Sequence, residues 1–253
     1  MSSNLSQFFF AVAGTAADTE FSYGYPLDGP FEPDVIVQVA FDVASGNLVD
    51  AVSSAVLTSN GTPIYSVDAA SPWADVSPGI SYIQANNARH ENTAAGIPAI
   101  GTNDATIEII FATVAGFGSA ADNVLWYVSD TGGGTLRTQI NLRPTGNQIR
   151  LTIDYFGVSQ NFDYPMSTVL YNDNLPHKLR LTMDRNGNAT FYLDGTSLGI
   201  GGIGGYDGAN ITSNRFSVGN LESSFANVAA NCTIYSLRIS TNLTNNSGGP
   251  NGG

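Results

Sequence analysis

Apolar and polar residues alternate with a period of two along much of the chain. Val35, Val37, Val39, Phe41 and Val43 alternate with Ile36, Gln38, Ala40 and Asp42. Ala105, Ile107, Ile109 and Phe111 alternate with Thr106, Glu108 and Ile110, and Leu179, Leu181 and Met183 with Lys178, Arg180 and Thr182. Successive side chains of a strand point to opposite faces, so each run predicts a strand with a buried face. The pattern places further strands near 62–67, 80–84, 124–129, 136–142, 148–155, 188–193, 215–218 and 233–239. No long window carries a 3.6-residue period, and the good helix formers Lys and Glu number six together. About a dozen short strands without intervening helices predict antiparallel pairing, and 253 residues suffice for two sheets packed face to face in one domain. The predicted fold is an all-β sandwich.

Turn chemistry sets several connections. Asn186-Gly187, within Asp184–Asn188, predicts a tight hairpin with positive φ. Pro144-Thr145-Gly146-Asn147 turns the chain between two strands, and Asp194-Gly195 closes the strand ending at Leu193. Three regions result. Residues 1–33 form an arm holding Phe8, Phe9, Phe10, Phe21, Tyr23, Tyr25 and Phe31, seven of the 26 aromatics and too apolar for a solvated tail. Residues 34–241 form the sandwich, and 242–253 a Gly- and Asn-rich tail.

Nine basic residues against 21 acidic ones give a net charge of −12, and Lys178 is the only lysine. That balance argues against a nucleic-acid partner and against an anionic membrane surface, both of which need clustered cations. No basic flank precedes the apolar stretch at residues 7–14, so no secretory signal is expected. The one cysteine, Cys232, forms no intrachain disulfide and is expected as a buried, inert thiol.

Candidate chemistry is sparse. A glycanase of this shape aims paired carboxylates into one cleft from alternate strand positions. Glu108 has Ile110 and Ala112 at those positions, and Asp154 shares its face with Thr152 and Arg150. His177 heads a strand and is expected to hydrogen-bond a neighbouring strand; His90 is expected in a solvated polar loop. Asp68, Asp75, Asp104, Asp122 and Asp130 supply hard oxygen ligands on predicted loops, which leaves calcium open without defining a ligand set. No other cofactor is expected. Trp73, Trp126, Tyr127, Tyr155 and Tyr206 are aromatics able to stack on a sugar ring. Strand alternation turns one of Trp126 and Tyr127 inward, so Trp73 and Tyr206, the latter in the Gly-rich stretch 199–208, are the carbohydrate-binding candidates.

Three stretches resemble the laminin G-like, or concanavalin A-like, jelly roll. Asp34-Val-Ile-Val-Gln-Val-Ala-Phe-Asp42 followed by Gly46-Asn47-Leu48-Val49-Asp50 is similar to the opening strand and turn of such domains in phage and bacterial surface proteins. Asp104-Ala-Thr-Ile-Glu-Ile-Ile-Phe111 resembles a second family strand. His177–Asp184, Asn186-Gly187 and Ala189–Gly195 resemble the family's hairpin, with Pro176 in place of the usual Trp. Phe216–Asn220 and Ile234–Ser240 resemble its closing strands. The resemblance implies an antiparallel two-sheet jelly roll and, in some members, a calcium at the rim. Function is not implied by fold, since this sandwich hosts lectins, glycanases and adhesion modules. The expected function is a non-enzymatic virion decoration protein of a phage capsid or tail, assembled in the host cytoplasm. Its partners would be other virion proteins or itself, together with a glycan. The alternative is a lectin or adhesion module, extracellular or at a cell surface, with a glycanase third. A chain starting at Asp34 should fold and melt cooperatively by circular dichroism yet fail to join its particle or oligomer; a molten or insoluble product would make the arm part of the core.

Overall fold

The computed structural model describes residues 34–68, 78–83, 86–94, 96–114, 123–130, 137–155, 158–165, 171–206, 208–220 and 231–243. The arm aromatics Phe8, Phe9, Phe10, Phe21, Tyr23 and Tyr25 lie outside them, as does Trp73. Sixteen strands follow one another along the described residues. They are β1 (Val35–Ala40), β2 (Leu48–Val49), β3 (Val56–Asn60), β4 (Ile64–Val67), β5 (Gly79–Tyr82), β6 (Arg89–Asn92), β7 (Ala105–Thr113) and β8 (Asn123–Ser129). Then come β9 (Arg137–Arg143), β10 (Gln148–Tyr155), β11 (Val158–Pro165), β12 (His177–Met183), β13 (Asn188–Leu193), β14 (Thr196–Gly202), β15 (Arg215–Val218) and β16 (Cys232–Ser240).

Two eight-stranded antiparallel sheets result. The first runs β14-β13-β12-β7-β16-β5-β4, and β1 joins it by pairing with β16 beyond the end of β5. The second runs β11-β10-β9-β8-β15-β6-β3-β2. The expected alternation becomes burial. Ile107, Ile109 and Phe111 of β7, Leu179, Leu181 and Met183 of β12 and Phe191 of β13 meet Trp126, Ile140, Leu142, Ile149, Leu151, Ile153 and Phe216 in one core. Buried apolar area of this kind is the main favourable term in folding. Trp126 fills the core while Tyr127 packs with Val124 on the opposite face; both are buried, so neither is the exposed stacking aromatic that the sequence suggested.

The positive φ expected at Asn186-Gly187 is absent. The chain turns there through Arg185 and Asn186, with Gly187 N–H donating to the Asp184 carbonyl at 3.0 Å and Asp184 N–H to the Asn188 carbonyl at 2.9 Å. The left-handed pair lies at Asp194 (φ 49°) and Gly195 (φ 83°), which close the two-residue loop between β13 and β14. Two positive φ values in such a loop match the right-handed twist of the flanking strands. Gly219 (φ 88°) lies where an added Cβ would come within 2.3 Å of the Tyr82 ring, so only glycine lets that backbone approach.

Four strands carry no apolar alternation and were not expected. β2 is two residues long, β6 reads Arg-His-Glu-Asn, β11 is an exposed edge, and β14 runs through glycines in what the composition marked as a loop. His90 corrects the picture most. It lies on β6, fully buried, rather than in a solvated loop. Its Nε2–H donates to the Gly46 carbonyl at 2.9 Å and its Nδ1 accepts from the Tyr82 hydroxyl at 2.8 Å, and burial lowers its pKa. Leu181 has no exposed surface. Leu181→Ala should lower stability by about 2–5 kcal/mol through transfer and cavity terms, read from urea titration.

Candidate functional site

One end of the second sheet meets a loop. Val128 of β8, Arg137 and Thr138 of β9 and Asp154 of β10 face Ala209, Asn210, Ile211 and Thr212 across a shallow, partly open cleft. The strand side is built by register: Ser129 opposes Arg137, and the next pair along β9 and β10 brings Arg137 Nε within 2.5 Å of Asp154 Oδ2. Asp154 keeps its other carboxylate oxygen, Oδ1, buried and without a partner, and the Thr212 hydroxyl is likewise buried and unpartnered. A buried polar atom without a partner costs free energy comparable to a lost hydrogen bond, so such atoms need an explanation. Here two of them belong to residues lining one cleft. Arg137 is the more open side chain, at 32% exposure against 10% for Asp154.

The loop side is held rigidly. Arg185, 2% exposed, turns inward from the β12–β13 connection. Its Nη2 donates to the carbonyls of Tyr206 and Ala209, each at 2.6 Å, while its backbone N–H donates to Asp104 Oδ1 at 2.8 Å. Gly101 and Ile211 exchange backbone hydrogen bonds at 3.0 and 2.9 Å, and Ile203, Ala209 and Ile211 reach into the core. The loop that floors the cleft is therefore preorganised.

Tyr206 sits in the same loop as the cleft, within the short helical turn Gly204–Tyr206 rather than on a free glycine-rich loop. Its ring meets Phe162 edge-on at 5.7 Å and its hydroxyl donates to Gln160 Oε1 at 3.2 Å. Glu108 lies on the outer face of the first sheet with Lys178 Nζ at 2.7 Å and Arg238 Nη1 at 3.7 Å, an ion-pair role. Arg180, opposite Glu108, lays its guanidinium 4.2 Å over the Tyr192 ring. Cys232 is fully buried, and burial pushes its thiol pKa up. Of the aspartates considered for calcium, Asp104 is engaged by Arg185 and Asp75 and Asp122 lie outside the described residues. Among the described residues no group of three or more His, Cys, Asp or Glu is placed to hold a metal ion.

His177 is bridged by two carboxylates rather than by a neighbouring strand's backbone. Its Nδ1 meets Asp194 Oδ2 at 2.6 Å and its Nε2 meets Asp173 Oδ1 at 3.0 Å. Burial works against the charged ring, but the hydrogen bonds to the two carboxylates outweigh it and raise the pKa above its usual value. A neutral imidazole has one N–H, so both contacts need the cation. Sequence spacing had no means of finding Asp173 and Asp194 together, because one precedes the strand and the other closes the next hairpin.

No family model matches the chain, and no curated protein matches it. Solved structures do. The binding domain of Paraclostridial Mosquitocidal Protein 1 is similar over 82% of this chain and 49% of its own, with a TM-score of 0.57 and 13% identity. The receptor-binding domain of botulinum neurotoxin C/D mosaic serotype is similar over 82% and 48%, at 0.57 and 12%. A botulinum neurotoxin type C structure, described as entering cells in dependence on two ganglioside molecules, is similar over 82% and 48%, at 0.55 and 11%. This chain is a jelly-roll β-sandwich. It spans about half the length of those binding domains, and the likeness speaks for the fold alone.

The histidine bridge fixes a pH dependence. A folded-state pKa above the ordinary 6.5 stabilises the fold below that value, and the gain is lost as pH rises through the folded pKa. The stability difference between the protein and His177→Gln should therefore be largest in mildly acidic buffer and shrink in mildly alkaline buffer, measured by urea titration across pH.

Proposed function

We propose that this chain is a non-enzymatic carbohydrate-binding module that holds a sugar between the Arg137–Asp154 pair and the Asn210–Thr212 loop. The observation that carries this is the pair of buried, unpartnered oxygens, Asp154 Oδ1 and Thr212 Oγ1, on residues lining one small cleft. A sugar hydroxyl donates and accepts, so adjacent hydroxyls can satisfy both atoms while Arg137 donates from the side. A concave site with a few convergent polar groups is the usual form of a small-ligand pocket. The ganglioside dependence described for the type C neurotoxin, on the same fold, supports a glycan as ligand. Tyr206, in the segment that leads into the cleft loop, is our stacking candidate, and Trp73 stays a candidate on its sequence setting.

For the setting we propose display on a virus particle through the aromatic arm. The opening-strand resemblance and the aromatic excess of residues 1–33 support that. A lectin or adhesion module at a cell surface is the second reading, favoured by the toxin receptor-binding domains that share the fold.

In calorimetric titration against a panel of oligosaccharides, Asp154→Asn and Thr212→Val should each weaken binding of the best ligand roughly tenfold, the scale of one buried hydrogen bond. Glu108→Gln should bind as the parent does, and no polysaccharide should release reducing ends. Binding that survives both cleft substitutions in folded protein would place the site elsewhere.

A further inference from the structure

The cleft is the end of a longer row. Gln139 and Asn141 lie two and four residues beyond Arg137 on the same face of β9, steps of about 7 Å each, since Ile140 and Leu142 take the core side. Ser129 opposes Arg137 from β8. All three are more than nine-tenths buried, at 7%, 2% and 1% exposure. Gln139 Oε1, Asn141 Oδ1 and Ser129 Oγ are buried and have no hydrogen-bond partner. With Asp154 Oδ1 and Thr212 Oγ1 they make five unpartnered oxygens on one sheet face and its rim. Such atoms are rare in folded proteins, and each carries a desolvation cost.

The cations beside this row are already engaged by carboxylates. Arg137 pairs with Asp154. Arg150, opposite Asn141, grips Asp163 with two hydrogen bonds of 2.6 and 2.7 Å, and Arg143 Nη1 lies 4.0 Å from the same carboxylate. Three of the five oxygens, Asp154 Oδ1, Gln139 Oε1 and Asn141 Oδ1, only accept, and beside neutralised arginines on a chain of net charge −12 they favour hydrogen-bond donors over anions.

We infer that the ligand is a neutral oligosaccharide, entering the cleft with one sugar and running along β9 over Gln139 and Asn141, and that acidic sugars are rejected. This rests on the carbohydrate reading above and adds the charge class and the length of the ligand to it. Hydroxyls supply donors to every oxygen of the row, whereas a carboxylate or sulfate brings only acceptors. The oxygens of the row are covered, so the ligand has to displace what lies over them, and Arg137, a third exposed, is the side chain at its entrance.

The test is calorimetric titration of the full chain with neutral gluco-, xylo- and galacto-configured disaccharides and hexasaccharides, and with hexagalacturonate and a heparin-derived hexasaccharide. Neutral hexasaccharides of one configuration should bind at least roughly tenfold more tightly than their disaccharide and than either acidic probe. Gln139→Ala and Asn141→Ala should each erase most of the hexasaccharide advantage and leave disaccharide affinity unchanged, whereas Asp154→Asn should weaken both lengths. Amide-proton chemical shifts of the β9 residues, followed in the same titration, should move with the hexasaccharide and not with the disaccharide. Equal or tighter binding of an acidic probe, or a hexasaccharide advantage that survives both alanine variants, overturns the inference while leaving a carbohydrate module standing. Absence of binding by every saccharide overturns both.

Discussion

Arg185 carries a full positive charge into a site 2% exposed, and the arrangement around it decides where the loop 208–212 lies. Taking a guanidinium out of water costs several kcal/mol unless its donors are met. The Tyr206 and Ala209 carbonyls meet one end of it at 2.6 Å, and those carbonyls belong to the segment that becomes the floor of the cleft. The same residue's backbone N–H takes Asp104 at the start of β7, so one side chain and one amide tie the β12–β13 turn, the lead-in to β7 and the 204–209 segment together. The local rule that predicts positive φ at Asn-Gly loses here to that tertiary demand. An inward arginine at the first turn position needs a right-handed turn, and the left-handed pair falls to Asp194-Gly195, where no side chain is drawn inward.

Strands with one apolar face were readable from the sequence because burial and a period of two are the same fact seen twice. β7, β10, β12, β13 and β16 lie within two residues of their expected positions. β6 was not readable. Its inward residue is a histidine made acceptable by Tyr82 on the preceding strand and by Gly46, 44 residues away, and its outward Arg89 and Glu91 pair with each other at 3.0 Å. β11 and β14 are edge strands that bury little, so pattern has little to report in them. The site divides in the same way. Asp154 was visible as a carboxylate with Arg150 and Thr152 on its face, but Arg137 reaches it through strand register and Thr212 through a loop held by Arg185, and neither relation leaves a trace in local spacing. Tyr206 was visible because aromatics in glycine-rich surroundings stand out, and it belongs to the loop that matters.

The two outer faces differ in how they treat charge. On the first sheet Gln38, Arg238, Glu108, Arg180 and Tyr192 form one register row, in which Glu108 is closed between Lys178 and Arg238 and Arg180 lies on Tyr192. On the second sheet Thr58, Glu91, Ser217, Tyr127, Gln139, Thr152 and Asn161 form another, mostly neutral, with unpartnered oxygens at Glu91 and Gln139. The acceptors left over at Glu91 and Gln139 on the second row support our proposal that the second sheet is the recognition face.

The same chemistry separates binding from hydrolysis. Glycoside cleavage asks for two carboxyls a few ångströms apart, one of them protonated at working pH. In the cleft Asp154 pairs with the Arg137 guanidinium at 2.5 Å. The nearest further acid on this face along β11 is Asp163, whose pKa is lowered chiefly by its hydrogen bonds from Arg150. Asp163 is thus held as the anion by arginine and is unsuited to act as a general acid, while Asp154 is paired with Arg137 and Glu108 with Lys178 and Arg238 on the other sheet. The role we propose for the cleft is to accept hydrogen bonds from a ligand's hydroxyls. That work asks for a rigid, preorganised floor, as the Arg185-anchored loop supplies, and for no proton transfer at all.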